Sequence, residues 1–131
     1  MIAGKAVAAE EACSPEFKEY IANVLQNCKA MSDEFTKLGF HVVTGGTDNH
    51  LFLLDFTKTH PSLTGLEAQT VLERNGITVN KNCIPGEQRS PAKTSGIRIG
   101  TAAETTKGKD ANDFVEIARR IDTILAQYKA K

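Results

Sequence analysis

Between residues 15 and 38, apolar side chains return every three or four positions: Phe17, Ile21, Val24, Cys28, Met31, Phe35 and Leu38. That period puts them on one face and predicts an amphipathic helix over 15–38. Ser14-Pro15-Glu16 supplies its start, with Ser14 as N-cap and proline at the first helical position. Gly39 stands where a residue of left-handed conformation closes a helix. The period then shortens. Phe40-His-Val-Val-Thr44 and Leu51-Phe-Leu-Leu-Asp-Phe56 predict two strands. Gly45-Gly46 and Asp48-Asn49 supply turn chemistry between them, so the pair reads as an antiparallel hairpin. Thr64-Gly-Leu-Glu67 is a capping box, and the helix it starts runs to about Arg74, where Asn75-Gly76 stops it. A short strand is predicted at Ile77-Thr-Val79 and another from Gly96 to Ile99, with a helical turn starting near Ala102. Phe114, Ile117, Ile121, Leu125 and Tyr128 share one face and place a last helix over 110–128. An alanine-rich helical stretch covers residues 1–12. The regularity of 15–38 ends with that segment, which favours core packing over a coiled coil.

These elements predict an α/β protein, more closely an α+β two-layer sandwich: a small, mainly antiparallel sheet covered by helices on one side. No repeat, low-complexity segment or linker interrupts the chain, so residues 1–131 read as a single domain. The 131 residues are 40% hydrophobic and 24% charged, which suits a core-forming globular chain. Sixteen basic and sixteen acidic side chains cancel, which removes the electrostatic case for nucleic acid or an anionic membrane as partner. No apolar run approaches the length of a membrane span, and no signal segment is visible, so a cytoplasmic protein is expected.

Three cysteines, an odd number without a Cys-x-x-Cys pair, point to reduced thiols rather than a disulfide framework or zinc site. Cys13 and Cys28 fall in helical segments and are expected to pack as small hydrophobes, whereas Cys83 lies in a polar loop. His41, His50 and His60 lack metal-ligand spacing, and no metal is expected. His50, close to Asp48, is expected to order the hairpin by a hydrogen bond. Asp48 and Asp55 do not form a convincing acid/base pair. Gly100-Thr-Ala-Ala-Glu-Thr-Thr-Lys-Gly108 lacks the order of a phosphate loop and reads as a helix start followed by a loop.

The candidate chemistry lies in Thr94-Ser-Gly-Ile-Arg-Ile-Gly100. Its period of two sends Ile97 and Ile99 to one face and Arg98 to the other. A guanidinium held on a strand is a rigid fork suited to a carboxylate. Taken alone, Arg98 reads as a solvated strand arginine in a surface ion pair. Asn82 alone reads as a turn residue bonded to local backbone, and Ser90-Pro91 as loop punctuation.

Four strings change that balance. Ile2-Ala-Gly-Lys-Ala-Val-Ala8, Gly45-Gly-Thr-Asp-Asn-His-Leu51, Gly76-Ile-Thr-Val-Asn-Lys-Asn82 and Ser95-Gly-Ile-Arg-Ile-Gly-Thr101 stand in the order and spacing of serine hydroxymethyltransferase, near the end of that enzyme. The chain resembles that family from about Ile2 to about Leu125. The resemblance implies the small C-terminal domain of a fold-type I pyridoxal phosphate enzyme. Its activity is the interconversion of serine and glycine, with tetrahydrofolate accepting the one-carbon unit. It further implies that Arg98 grips the substrate α-carboxylate, that Asn82 contacts the folate pterin, and that Ser90, Pro91 and Ala92 line the folate site. Ala92 and Lys93 depart from the phenylalanine and valine common in the family, and loss of that ring would reduce apolar contact with folate. The family's cofactor lysine follows a run of threonines and a histidine, and this sequence has no such run. No catalytic residue is therefore assigned, and the chain alone is expected to be inactive, because the cofactor carries the carbanion chemistry. The expected partners are the missing cofactor domain and, in the full protein, further copies in a homo-oligomer. Met1 stands where the family often has an aliphatic residue in a continuous chain, which suggests a truncated or split reading frame. A stand-alone binding or partner module of the same fold, without catalysis, is the competing expectation.

Overall fold

A computed structural model describes residues 1–129. Five helices and four strands follow one another: α1 (Ile2–Ala12), α2 (Pro15–Lys37), β1 (His41–Val43), β2 (Leu51–Asp55), α3 (Gly65–Arg74), β3 (Asn80–Asn82), β4 (Gly96–Gly100), α4 (Ala102–Thr106) and α5 (Ala111–Lys129). The strands form one antiparallel sheet in the order β1-β2-β4-β3. The α/β fold expected from the sequence is therefore the observed one.

Local chemistry explains the boundaries. The amide of Phe17 donates to the Ser14 hydroxyl at 3.1 Å, and Gly39 closes α2 with φ of +88°. At α3 both halves of the capping box are made: the Glu67 amide donates to the Thr64 hydroxyl at 3.1 Å, and the Thr64 amide donates to the Glu67 carboxylate at 2.9 Å.

The third strand departs from expectation. Ile77, Thr78 and Val79 lie outside the sheet, and pairing begins at Asn80, opposite Arg98. The cause lies in the end of α3. The Ile77 amide donates back to the Leu72 carbonyl at 2.9 Å and the Gly76 amide to the Glu73 carbonyl at 3.0 Å. Ile77 is thus tied to the helix terminus and cannot join the ladder. Its side chain still packs against the core beside buried Val79.

The core lies between one sheet face and three helices. Val42, Phe52, Leu54, Ile97 and Ile99 point from the sheet toward Met31 and Phe35 of α2, Ala68 and Leu72 of α3, and Phe114, Ile121 and Leu125 of α5. Burying each large aliphatic or aromatic side chain stabilises the fold by roughly 1.5–3 kcal/mol. Phe35 meets Phe40 edge-on at 5.2 Å between ring centres and Phe52 at 5.8 Å. Polar pins join the helices too. Glu34 of α2 is nearly buried, and its carboxylate accepts from Arg119 Nε of α5 at 2.8 Å. The Asn27 amide donates to Thr105 Oγ1 at 2.9 Å and to the Lys109 carbonyl at 3.0 Å.

Two smaller expectations are corrected. Cys13 is exposed at the end of α1 rather than packed, because α1 buries none of its residues. Cys28 is buried as expected, and burial pushes its thiol up in pKa against hydrogen bonds from Thr101 and Thr47. His50 makes no side-chain bond to Asp48. The hairpin turn is ordered instead by Thr47 and Asn49: Thr47 Oγ1 donates to the Leu51 carbonyl at 2.7 Å, and the Leu51 amide donates to Asn49 Oδ1 at 2.9 Å. Among the described residues, no helix is long and apolar enough to cross a membrane.

Candidate functional site

The helices cover one face of the sheet, and the register defines what lies on the other. Val43 pairs with Leu53, Leu53 with Arg98, and Arg98 with Asn80. Directly paired residues share a face, so these four form a row across the open side. Two residues along each strand a second row follows: His41, Asp55, Gly96 and Asn82. Arg98 and Asn82 are therefore diagonal neighbours, a separation of about 7–8 Å in an ordinary antiparallel pair.

Arg98 is exposed between buried Ile97 and Ile99. The period-two reading of this strand is thus the observed one. Among the described residues its guanidinium makes no hydrogen bond or ion pair. The nearest acid on the same face is already occupied. Asp55 Oδ1 accepts from the Thr57 amide at 2.8 Å and the Thr57 hydroxyl at 2.6 Å, and Oδ2 faces His41 Nδ1 at 3.1 Å. Burial of Asp55 opposes its charge, but the Thr57 and His41 bonds outweigh that and hold the carboxyl below its ordinary range. His41 is engaged on its other nitrogen by Lys58 Nζ at 3.4 Å. The pair of rows therefore presents one cation without an internal counter-charge, in a half-apolar setting of Val43, Leu51 and Leu53. Those three residues also border a shallow hollow of about 460 Å³ at the β1–β2 turn, together with Thr47 and Asn49.

Asn82 ends β3. Its side-chain amide donates to the Cys83 carbonyl at 2.8 Å, and its own carbonyl faces Gly96. Beyond it, residues 83–95 form the connection to β4. Ser90, Pro91 and Ala92 are all exposed on this loop. The Lys93 and Thr94 amides both donate to the Ser90 carbonyl at 2.9 Å, and Lys81 Nζ reaches the Pro91 carbonyl at 3.3 Å. The five residues singled out from the sequence thus fall in two groups: Arg98 and Asn82 on the open sheet face, and 90–92 on the loop that follows from Asn82.

The loop is held by residues that sequence reasoning passed over. Glu87 accepts four bonds: from Ile84 N at 3.3 Å, Arg89 N at 2.9 Å, Ser95 N at 2.8 Å and Ser95 Oγ at 2.6 Å. Burial works against its charge, yet the Ser95 hydroxyl and the amides of Arg89, Ser95 and Ile84 bring the carboxyl down from 4.5 to about 2. Arg89 donates to the Leu63 carbonyl at 2.7 Å and the Pro61 carbonyl at 2.6 Å. Their one signal in the sequence is an acid and a base spaced two apart just after Pro85-Gly86, a pattern that surface turns share.

A second hollow, of about 380 Å³, lies between α2 and the α4–α5 connection, lined by Asn23, Gln26, Asn27, Thr105, Lys109 and Asn112. It belongs to a different part of the molecule from the open sheet face.

Residues 1–121 match the sequence model of the serine hydroxymethyltransferase family. The chain is 50% identical over 121 residues to the serine hydroxymethyltransferase of Borreliella burgdorferi (strain ZS7), covering 92% of this chain and 28% of that protein. It is 51% identical over 122 residues to the enzyme of the same name from Phytoplasma australiense, covering 93% of this chain and 30% of the relative. The serine hydroxymethyltransferase of Borrelia garinii subsp. bavariensis is likewise 50% identical over 121 residues. The chain thus spans less than a third of the length of the relatives it matches.

Proposed function

Because the chain belongs to the serine hydroxymethyltransferase family, we propose that it supplies the carboxylate-binding and folate-facing wall of an enzyme that interconverts serine and glycine. Tetrahydrofolate accepts the one-carbon unit in this reading. Arg98 binds the amino-acid carboxylate through paired N–H groups and so fixes the direction in which the substrate's other bonds point. Asn82 and the 90–92 segment meet the folate. The observation that carries the reading is the exposed Arg98 guanidinium, with no partner among the described residues, on the sheet face turned away from the helices.

The residues of this chain do not by themselves fit pyridoxal phosphate. The open-face rows contain no lysine: Lys81 pairs with Ile97 on the helix-covered side, and Lys58 is drawn to His41. The cofactor and the lysine that holds it are assigned to a separate cofactor domain, which is the principal partner, and the assembled enzyme is read as a cytoplasmic homo-oligomer. The chain alone is then inactive.

Co-production with the cofactor domain of a close relative, followed by a serine-to-glycine assay with tetrahydrofolate, tests this reading. Activity is expected only from the combination, and Arg98→Ala should lower kcat/KM by roughly 100-fold, the scale of a lost bond to a charged group. A folded chain that neither associates nor restores turnover would sink the proposal and leave a stand-alone module of the same fold.

A further inference from the structure

Glu87 is the one side chain in the 83–95 loop that touches its beginning, middle and end. Ile84 leads out of β3, Arg89 stands one residue before Ser90, and Ser95 leads into β4; all three give their backbone N–H to the same carboxylate, and Ser95 adds its hydroxyl. Four donors fill most of the acceptor capacity of one carboxylate. Other features pin the same loop from outside. Arg89 anchors it to the 61–63 segment. The first amides of α3, from Gly65 and Leu66, donate to the Thr94 and Lys93 carbonyls at 3.1 and 2.9 Å. Thr94 is held at φ of +55°, a conformation that a β-branched residue adopts only when its surroundings over-determine it. Ser90, Pro91 and Ala92 face outward from this frame, as do Cys83, Pro85, Gly86, Gln88 and Lys93.

We infer that Glu87 is a positioning residue: its carboxylate draws the loop closed on itself and thereby sets where residues 90–92 stand relative to Asn82 and Arg98. This rests on the proposed function in naming folate as the ligand that meets the loop, and it extends that reading to a residue that does not touch the ligand. A loop ordered before binding loses little conformational freedom when a ligand arrives. Removing the carboxylate should therefore weaken folate binding and leave the amino-acid carboxylate site on β4 as it was.

Glu87→Gln is the informative variant, since it keeps the length and shape of the side chain but replaces one acceptor oxygen by an amide that repels N–H donors. In the isolated chain, amide hydrogen exchange at Ile84, Arg89 and Ser95 is expected to quicken by roughly tenfold or more, with Leu54 and Ile97 in the sheet unchanged. In the reassembled enzyme, KM for tetrahydrofolate is expected to rise by about tenfold while KM for serine stays within about twofold. Glu87→Asp, which restores the charge, should recover part of both effects. Unchanged exchange in the Gln variant overturns the inference. So does a loosened loop with serine and folate KM rising together, which marks a general structural role. If the reassembled wild type is itself inactive, the folate assignment falls with the proposed function, while hydrogen exchange still decides whether Glu87 holds the loop.

Discussion

A single arginine gains its meaning here from what its neighbours already do. Asp55 lies on the same sheet face as Arg98, yet both its oxygens are engaged, by Thr57 and His41. Among the described residues Arg98 is left as a fork without a counter-charge, which is the state the proposed carboxylate-binding role requires before a ligand arrives. The shape of that fork can be tested apart from its charge. Arg98→Lys keeps the positive charge but presents a point-like ammonium that cannot make the same paired, coplanar bonds. In the reassembled enzyme this variant is expected to recover less than about a tenth of the activity that Arg98→Ala removes, with most of the deficit in serine kcat/KM. Recovery to near wild type would mean that charge alone matters and that the planar geometry is incidental. At the opposite extreme of burial, Phe35 is fully enclosed between Phe40 and Phe52. Phe35→Ala should cost about 3–5 kcal/mol in urea unfolding, because the surrounding rings cannot collapse into the space.

At the level of elements, the close approach of loop and strand depends on Gly96. A methyl group there would stand 2.5 Å from the Leu54 carbonyl oxygen and 2.7 Å from a methyl of Ile84. The first of these is backbone in the centre of the sheet and cannot move aside. Gly96→Ala is therefore expected to destabilise by about 1–3 kcal/mol, read from the urea midpoint, and to disturb the β2–β4 register that carries Arg98. The helices, the hairpin and the alternation around Arg98 were legible in the sequence because each has a local cause: Ser14 and Thr64 caps, the Gly39 and Gly76 stops, and periods of 3.6 and 2. β3 was not, since Asn80-Lys-Asn82 has no strand propensity and pairs only because β4 and the end of α3 put it there. The Glu87 clamp was illegible for a related reason. Three of its four bonds go to backbone amides, which carry no residue identity, and Ser95 becomes its neighbour only once the loop has closed.

For the whole molecule, carboxylates tie helices, helix ends and loops together, and this sets its response to acid. Glu34 is held low first by Arg119, Glu67 by Thr64, Glu104 by Lys107, and Glu87 by the amides and hydroxyl that outweigh its burial. A carboxyl whose folded pKa is depressed contributes stability that is present above its unfolded value and is lost as pH falls toward the folded one. For Glu87 that window runs from 4.5 down to about 2. The urea midpoint should accordingly fall between pH 6 and pH 3, and the deficit of Glu87→Gln relative to wild type should shrink across the same range. A gap that stays constant would show that the charge of Glu87 contributes nothing. α1 should stand outside this cooperative unit. None of its eleven residues is buried, with Ile2 87% and Val7 54% exposed. A helix of that length without a buried side chain is marginal in water. Its amides are therefore expected to exchange in the isolated chain at least about 100-fold faster than those of α2, and deleting residues 1–12 should change the urea stability of the remainder by less than about 1 kcal/mol. If the chain works as one part of a larger enzyme, the exposed side chains of α1 are where a cofactor domain would add its packing. Protection of α1 should then appear on association and not before. Full protection in the isolated chain would mean that α1 is already stabilised by contacts with a second copy, a result that sedimentation would report as a dimer.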